Sequence, residues 1–165
     1  VNPSIIIGPG DFSRSSGELF SQIPRGTPFY PAGMNGFVSA KDVARACVML
    51  AEENIRGEKF LLNSENKSYK DAMQSIAISL KAKPPKHVVE DWMVGLVWRG
   101  FYVFEKITGH KALATKESLK MSQLDTRYDG SKIQRHLSDA GRSWEYESIE
   151  NAVNRTSEIY LASLN

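Results

Sequence analysis

Only two segments of this 165-residue chain have the composition of a buried β-strand. Residues 1–7 are apolar and β-branched apart from Asn2, Pro3 and Ser4, and residues 59–63 centre on three consecutive apolar side chains. Continuous apolar runs of this kind are typical of strands that are buried on both faces of a parallel sheet. Two strands are too few for an independent sheet with both faces covered. We therefore expect the chain to be part of a larger α/β unit.

Helical periodicity dominates the rest of the sequence. Apolar residues recur three and four positions apart behind small polar residues that can cap a helix, which predicts one short helix and several longer ones. The candidate caps are Ser15 (with Glu18 at capping-box spacing), Asp42, Ser68, Thr115, Ser131 and Ser148. The positions expected to be buried behind them are Leu19, Phe20, Ile23, Val43, Ala46, Cys47, Leu50, Ala51, Met73, Ile76, Ala77, Leu80, Ile133, Leu137, Ile149, Ala152, Val153, Thr156 and Tyr160.

Two other segments complete the predicted element order. Residues 29–31 and 37–38 flank a glycine-rich turn, which predicts two short extended pieces. A longer helix is predicted over residues 88–107, with the apolar anchors Met93, Leu96, Val97, Phe101, Phe104 and Ile107. The order is strand, helix, extended pair, helix, strand and helix, then mostly helix. This order predicts an α/β fold with a parallel sheet in the first half.

Charge, cysteine and histidine content exclude several functional classes. The 21 basic and 19 acidic residues give a net charge of +2 and are scattered, so no nucleic-acid partner is expected. A single cysteine, Cys47, cannot form an intrachain disulfide and favours a cytoplasmic location. No stretch reaches the roughly 18 apolar residues of a membrane span. His87, His110 and His136 lack metal-ligand spacing, so no metal site is predicted.

Three segments in register resemble a known enzyme family. They are residues 1–10 (Val-Asn-Pro-Ser-Ile-Ile-Ile-Gly-Pro-Gly), residues 36–46 (Gly-Phe-Val-Ser-Ala-Lys-Asp-Val-Ala-Arg-Ala) and residues 57–63 (Gly-Glu-Lys-Phe-Leu-Leu-Asn), the last followed by Ser-Tyr-Lys-Asp at 68–71. In this order and at these intervals they resemble extended short-chain dehydrogenase/reductases. The similarity is greatest to the dihydroflavonol reductase and sugar epimerase/dehydratase branches.

The resemblance covers nearly the whole chain, but only as the carboxy-terminal half of such a protein. It implies the end of a Rossmann-type, doubly wound sheet with interleaved substrate-binding elements over residues 1–66. It also implies a mostly helical substrate-binding lobe over residues 67–165. An apolar strand that starts at Val1 fits a break inside a larger fold. The missing amino-terminal half would then hold the cofactor fingerprint and the catalytic residues.

The resemblance implies a cofactor-binding role for Asn2, Pro3, Ser4 and Ser16. The segment that matches the first three lines the nicotinamide side of the pocket in the family. Pro3 offers an apolar ring without a donor, and Ser4 can reach a carboxamide. Two simpler interpretations stay open: Pro3 only ends a strand, and Ser16 only belongs to the cap formed with Ser15.

Arg14 and Asn35 are the implied substrate-binding residues. Arg14 lies in the loop that matches the family's flexible segment near cofactor and substrate, although an Arg in such a loop is more often solvated. The family often places two acidic residues where this chain has Lys41 and Asp42. The departure at Lys41 removes the pair, and Asp42 is expected to be structural, as a helix cap.

No catalytic residue is predicted within the chain. Gly8 and Gly10 are followed by Ser13 without a third glycine in register, so they do not form the dinucleotide fingerprint. The family uses a Tyr acid with a Lys one helical turn later. Tyr102 with Lys106, and Tyr128 with Lys132, have this spacing. The family's own pair precedes the segment matching residues 1–10, so neither is assigned.

The expected function is therefore that of a substrate-binding fragment. The parent would be an NAD- or NADP-dependent oxidoreductase or epimerase that acts on a carbonyl or hydroxyl of a small molecule, and this chain alone is not expected to bind the cofactor. The expected partners are that small molecule, the missing amino-terminal half, and a second copy through the sheet edge at residues 5–7. The alternatives are a non-catalytic relative that keeps the fold for binding or regulation, and a free-standing small α/β domain.

Overall fold

The computed structural model describes residues 1–90, 93 and 116–164. The strands are β1 (Asn2–Pro3), β2 (Ile5–Ile7), β3 (Phe29–Pro31), β4 (Met34–Ser39), β5 (Leu61–Leu62), β6 (Glu65–Ser68) and β7 (His87–Val89). The helices are α1 (Glu18–Gln22), α2 (Ala40–Glu52), α3 (Tyr69–Ser79), α4 (Lys116–Met121), α5 (Ser131–Asp139) and α6 (Ile149–Ala162), and 3₁₀ turns at Ser15–Gly17 and Ile23–Arg25 flank α1.

The described strands form three small sheets. In the central one β4 pairs in parallel with β2, where Ile5 lies opposite Phe37, and antiparallel with β6, where Asn35 lies opposite Lys67. β1 pairs in parallel with β5, and β3 pairs in parallel with β7. Main-chain hydrogen bonds of Met34 also tie the segment after α4 to the start of β4. The α/β class that the sequence predicts is confirmed, but the central sheet is mixed instead of purely parallel, because β6 joins it antiparallel.

Strand β4 separates two apolar cores. Successive residues of a strand point to opposite faces of the sheet, and Phe37 and Val38 are both 0% exposed. The Phe37 core contains Ile7 and side chains of α1, α3 and α6. The Val38 core contains Leu62 and side chains of α2 and α5. Helices therefore cover both faces of this sheet, and the predicted buried faces of α3, α5 and α6 are confirmed.

Two of the predicted caps are confirmed and three are wrong. Ser68 and Ser148 accept hydrogen bonds from the main-chain amides of the third residue into α3 and α6. Ser39, and not Asp42, caps α2, because Ser39 Oγ accepts from Asp42 N at 3.0 Å. Ser15 has a φ of 50° and makes no cap, and Ser131 is the first residue of α5 instead of its cap. Thr115 lies outside the described residues.

The predicted buried face of α2 is only partly correct. Ala46 and Leu50 are buried, but Cys47 and Ala51 are exposed. The residues of α2 that point into the protein are Asp42, Ala46 and Leu50, which are spaced four residues apart and are all buried. A polar residue in the inward row is what the apolar pattern could not reveal.

Two predicted segments also differ in the structure. Residues 1–7 form two strands instead of one buried strand, since the chain changes partner from β5 to β4 at Ser4, and Ile6 stays 36% exposed. The helix predicted over residues 88–107 is wrong at its start, where Val88 and Val89 belong to β7. Met93 is half-buried, and the remaining anchors lie outside the described residues.

The described residues contain neither a candidate membrane span nor a candidate metal site. None of the helices there combines the length and the hydrophobicity needed to cross a bilayer. No three His, Cys, Asp or Glu side chains in the same part of the chain are grouped so that they could hold a metal ion.

Candidate functional site

The segment predicted to face the nicotinamide lies at the start of the chain on β1. Asn2 and Pro3 are exposed and run opposite Leu61 and Leu62. Ser4 turns the chain away from β5: its main-chain N–H and its Oγ both donate to the Leu62 carbonyl, at 3.0 and 3.1 Å. The Ser4 hydroxyl proton is therefore already used within the fold, while Pro3 keeps an open face.

The loop between β2 and α1 is held to β2 by one serine. Ser16 Oγ donates to the carbonyl of Ile6 at 2.5 Å, which fixes the loop beside the carboxyl end of this strand. Arg14 pairs with Asp11 at 3.1 Å, and its side chain is 81% exposed. The pKa of the Asp11 carboxyl is lowered, first by its hydrogen bonds from Ser13. An exposed pair such as Arg14–Asp11 holds the guanidinium only weakly.

Asn35 forms a polar pair with a tyrosine that the sequence did not single out. Asn35 Nδ2 donates to Tyr69 Oη at 3.2 Å, and Asn35 Oδ1 accepts from Gly36 N at 2.8 Å. The Tyr69 ring packs edge-on against Phe37, with ring centroids 6.3 Å apart. Both members of the pair are half-buried. The signal that could have found Tyr69 is its position directly after the cap Ser68, where β6 meets α3.

The environment keeps the Tyr69 phenol protonated. Burial raises its pKa, the hydrogen bond from Asn35 offsets part of that effect, and the neighbouring Tyr128 phenol raises the pKa further. Because the pKa moves upward from a value already far above neutrality, Tyr69 remains a hydrogen-bond donor at physiological pH.

The predicted residues lie in separate places. Ser16 binds at Ile6, which lies opposite Val38 on β4. Asn35 lies three residues before Val38, or about 10 Å along the strand. Within the described parts of the chain, no hydrogen bond or ion pair joins Ser16, Arg14 or β1 to Asn35. The Asn35–Tyr69 pair is thus a site element distinct from the loop that carries Ser16.

A polar cleft of about 580 Å³ lies between the turn after β5, the start of α5 and residues 145–148. Its walls are bonded to each other: Asn63 Nδ2 donates to the Tyr128 carbonyl at 3.1 Å, and Tyr146 Oη donates to the Gly130 carbonyl at 3.0 Å. None of the predicted site residues lines this cleft. These hydrogen bonds join the walls of the cleft to each other. The predicted site residues lie elsewhere in the structure.

Tyr128 and Lys132, the Tyr-x-x-x-Lys pair that lies within the described residues, do not share a helix. Tyr128 precedes α5 in a non-helical segment, and Lys132 binds Glu58 at 2.6 Å. Tyr102, Lys106 and His110 lie outside the described residues.

Packing explains why position 8 is a glycine, because a Cβ there would come 2.4 Å from the Ala40 Cβ.

No protein-family model matches the chain. In sequence it is similar to a curated protein of Synechocystis sp. named "Putative dihydroflavonol 4-reductase", with 28% identity over 148 residues. The match covers 83% of this chain and 42% of the relative. The chain therefore spans less than half the length of this relative.

Solved structures are similar to the chain in fold. A nucleoside-diphosphate-sugar epimerase from Pseudomonas aeruginosa matches with a TM-score of 0.69 and 19% identity, over 98% of this chain and 47% of that one. Gre2 from Candida albicans, solved in complex with NADPH, matches with a TM-score of 0.58 and 22% identity, over 99% and 43%. The predicted fold class, part of a Rossmann-type α/β domain with added helices, is confirmed. The resemblance to the dihydroflavonol reductase branch is confirmed in sequence, and the similarity to the epimerase is one of fold.

Proposed function

We propose that this chain is the substrate-facing portion of an NAD(P)-dependent reductase or epimerase that acts on a carbonyl or hydroxyl group of a small molecule. The observation that carries the proposal is the sequence similarity to the dihydroflavonol reductase-like protein over 83% of the chain. The fold similarity over 98% of the chain to an epimerase supports it. The Asn35–Tyr69 pair would contribute to the substrate pocket.

The cofactor would be shared with a second portion of the enzyme. Asn2, Pro3 and Ser4 would form one wall of the nicotinamide site, and Ser16 would hold the adjoining loop beside it. Arg14 is exposed, and its ion pair among the described residues is the weak one with Asp11, so we propose that it can turn toward a substrate. The relatives that match are about twice as long as this chain, so the cofactor fingerprint and the acid–base pair are proposed to reside in the other half.

An apolar surface offers that half a place to dock. A depression of about 250 Å³ beside β1 is lined by the side chains of Leu50, Ile55 and Phe60, together with Val1, Cys47, Ala51 and the acidic Glu58. Parallel strands normally belong to larger sheets that are covered on both faces. We propose that the amino-terminal half extends the sheet at β1. The alternative is that a second copy of the chain pairs along β2, where Ile6 is exposed, and extends the sheet instead.

The division of the chain into residues 1–66 and 67–165 stays a prediction. Side chains of α3 and α6, from the second part, complete the same core as Ile7 and Phe37. If the two parts are separate units in function, they nevertheless share one packed interior. A role in the cytoplasm is likewise a proposal, based on the single cysteine.

The proposal is tested by fluorescence titration of the purified chain with NADH, NADPH and a dihydroflavonol. We expect the dihydroflavonol to bind with a measurable affinity and both nucleotides to bind weakly. Tight nucleotide binding by the chain alone would contradict the assignment of the cofactor site to another portion. Light scattering on the same sample distinguishes a monomer with an open docking surface from a dimer.

A further inference from the structure

The Asn35–Tyr69 pair has hydrogen-bonding capacity that the fold does not use. The side-chain amide of Asn35 is oriented by Gly36 N–H, which can only donate and therefore identifies the facing atom as Oδ1. The opposite atom is then Nδ2, and one of its two hydrogens is directed at Tyr69 Oη. The second Nδ2 hydrogen and the phenolic hydrogen have no further partner among the described residues.

Two free donors on neighbouring side chains favour an acceptor oxygen. Asn35 and Tyr69 are each half-buried, so both keep part of their surface exposed, and the Tyr69 ring packs edge-on against Phe37. The phenol also accepts the hydrogen bond from Asn35, and a donor that accepts at the same time is strengthened by polarisation. A carbonyl oxygen has two lone pairs and no hydrogen of its own, and it would satisfy both free hydrogens.

The two lysines next to the pair are directed elsewhere. Lys67 lies directly opposite Asn35 on β6, but its Nζ binds Glu65 at 3.0 Å. Lys70, the next residue after Tyr69, points toward the ring of Tyr30, with its Nζ 5.9 Å from the ring centroid. Neither of these two lysines is therefore directed at the pair, whose two free donors are uncharged, and a phosphate or carboxylate would gain little from them.

From this arrangement we infer that Tyr69 is a specificity-determining residue, which acts with Asn35 to bind a carbonyl oxygen of an uncharged substrate and not a charged group. The inference rests on the proposed function, because it assigns a chemical class to the substrate pocket proposed above. Tyr69 contributes its hydroxyl hydrogen directly and also positions the Asn35 amide through the 3.2 Å hydrogen bond.

The test uses two probes that differ at one carbonyl. Dihydroquercetin carries a ring ketone, and catechin is the corresponding flavan without it. Isothermal titration of the chain is compared with Tyr69→Phe, which keeps the ring against Phe37 and removes only the hydroxyl. Tyr30→Phe, on β3, is the matched control. We expect Tyr69→Phe to weaken dihydroquercetin binding by about three- to tenfold and to leave catechin binding unchanged. The control Tyr30→Phe should change the binding of neither probe.

Each other outcome contradicts a defined part of the account. If Tyr69→Phe weakens the binding of both probes equally, or of neither, Tyr69 does not bind the carbonyl oxygen, while the proposed function stands. If UDP-glucose binds the wild-type chain more tightly than dihydroquercetin, the uncharged class is wrong and the proposed function again stands. If the wild-type chain binds none of the three probes, the substrate-facing role itself fails. Melting curves confirm that each variant is folded.

Discussion

The carboxylate of Asp42 accepts a hydrogen bond from the main-chain amide of Glu147 at 2.8 Å, across 105 residues of sequence. Asp42 is fully buried in the first turn of α2, and its other oxygen lies 3.4 Å from the Arg45 guanidinium. That guanidinium stacks over Trp144, 4.2 Å from the ring centroid. One side chain thus ties the start of α2 to the segment that leads into α6.

Asp42→Ala is expected to destabilise the chain by about 2–4 kcal/mol, because the substitution leaves Glu147 N–H without an acceptor and Arg45 without its counter-charge. Asp42→Asn keeps an acceptor and should cost less. Urea denaturation measures both. The exposed Asp139, at the end of α5, is the control, and its replacement by Ala should change stability by under about 0.5 kcal/mol. Equal losses at the two positions would contradict the tie.

Glu147 is expected to make stability depend on pH in the acid range. Partial burial raises the pKa of this carboxyl, but hydrogen bonds from Arg155 and Ser39 and the charge of Arg155 outweigh it, so the pKa ends below its usual value. A lowered pKa in the folded state means that the contribution is present above the unfolded-state pKa and is lost as pH falls through the folded-state value. Denaturation curves from about pH 6 to about pH 3 measure this loss.

Glu147→Gln removes the titrating group but not the main-chain bond to Asp42. The difference in unfolding free energy between wild type and this variant should therefore shrink as the pH is lowered. A difference that stays constant over the whole range would show that the Arg155 pair does not stabilise the fold.

Gly130→Ala is expected to destabilise the fold by about 1–3 kcal/mol. A Cβ at Gly130 would come 2.2 Å from the main-chain oxygen of Asn63, which cannot move without disturbing β5 and β6. Gly10→Ala is a matched control, since nothing lies within 4 Å of a Cβ there. Thermal melting compares the two. Equal melting temperatures would mean that the contact between Asn63 and the start of α5 is loose.

Cys47 is expected to react with Ellman's reagent in the native chain without denaturant. Its side chain is exposed on α2, beside the apolar depression next to β1. A thiol that reacts only after urea is added would place Cys47 in the core, as its sequence position first indicated. Cys47→Ser provides the blank.

Local patterns predicted the parts of the fold that local chemistry determines. Ser68 and Ser148 cap their helices because each faces the amide of the third residue into the helix, which a sequence shows directly. Asp42 was predicted as a cap since its residue type suits that position, but Ser39, three residues earlier, suits it equally. The role of Asp42 depends on Glu147, and a partner 105 residues away leaves no local signal.

The candidate site was only partly predictable for the same reason. Asn35 was singled out through the family resemblance, whereas Tyr69 meets it only because β4 and β6 pair antiparallel with Met34 opposite Ser68. The resemblance predicts Ser16 on the cofactor side. Its side chain is held by the hydrogen bond that it donates to the carbonyl of Ile6, ten residues earlier. Side-chain roles that depend on strand register require the three-dimensional structure.

The central claim is that the chain faces the substrate of a reductase or epimerase while the hydride-transfer machinery lies in another portion of the enzyme. The most direct measurement is the absorbance of NADPH at 340 nm during incubation of the purified chain with dihydroquercetin. The account predicts no consumption of NADPH above a protein-free control, in samples where titration shows dihydroquercetin binding. Sustained, protein-dependent NADPH oxidation by this chain alone would contradict it.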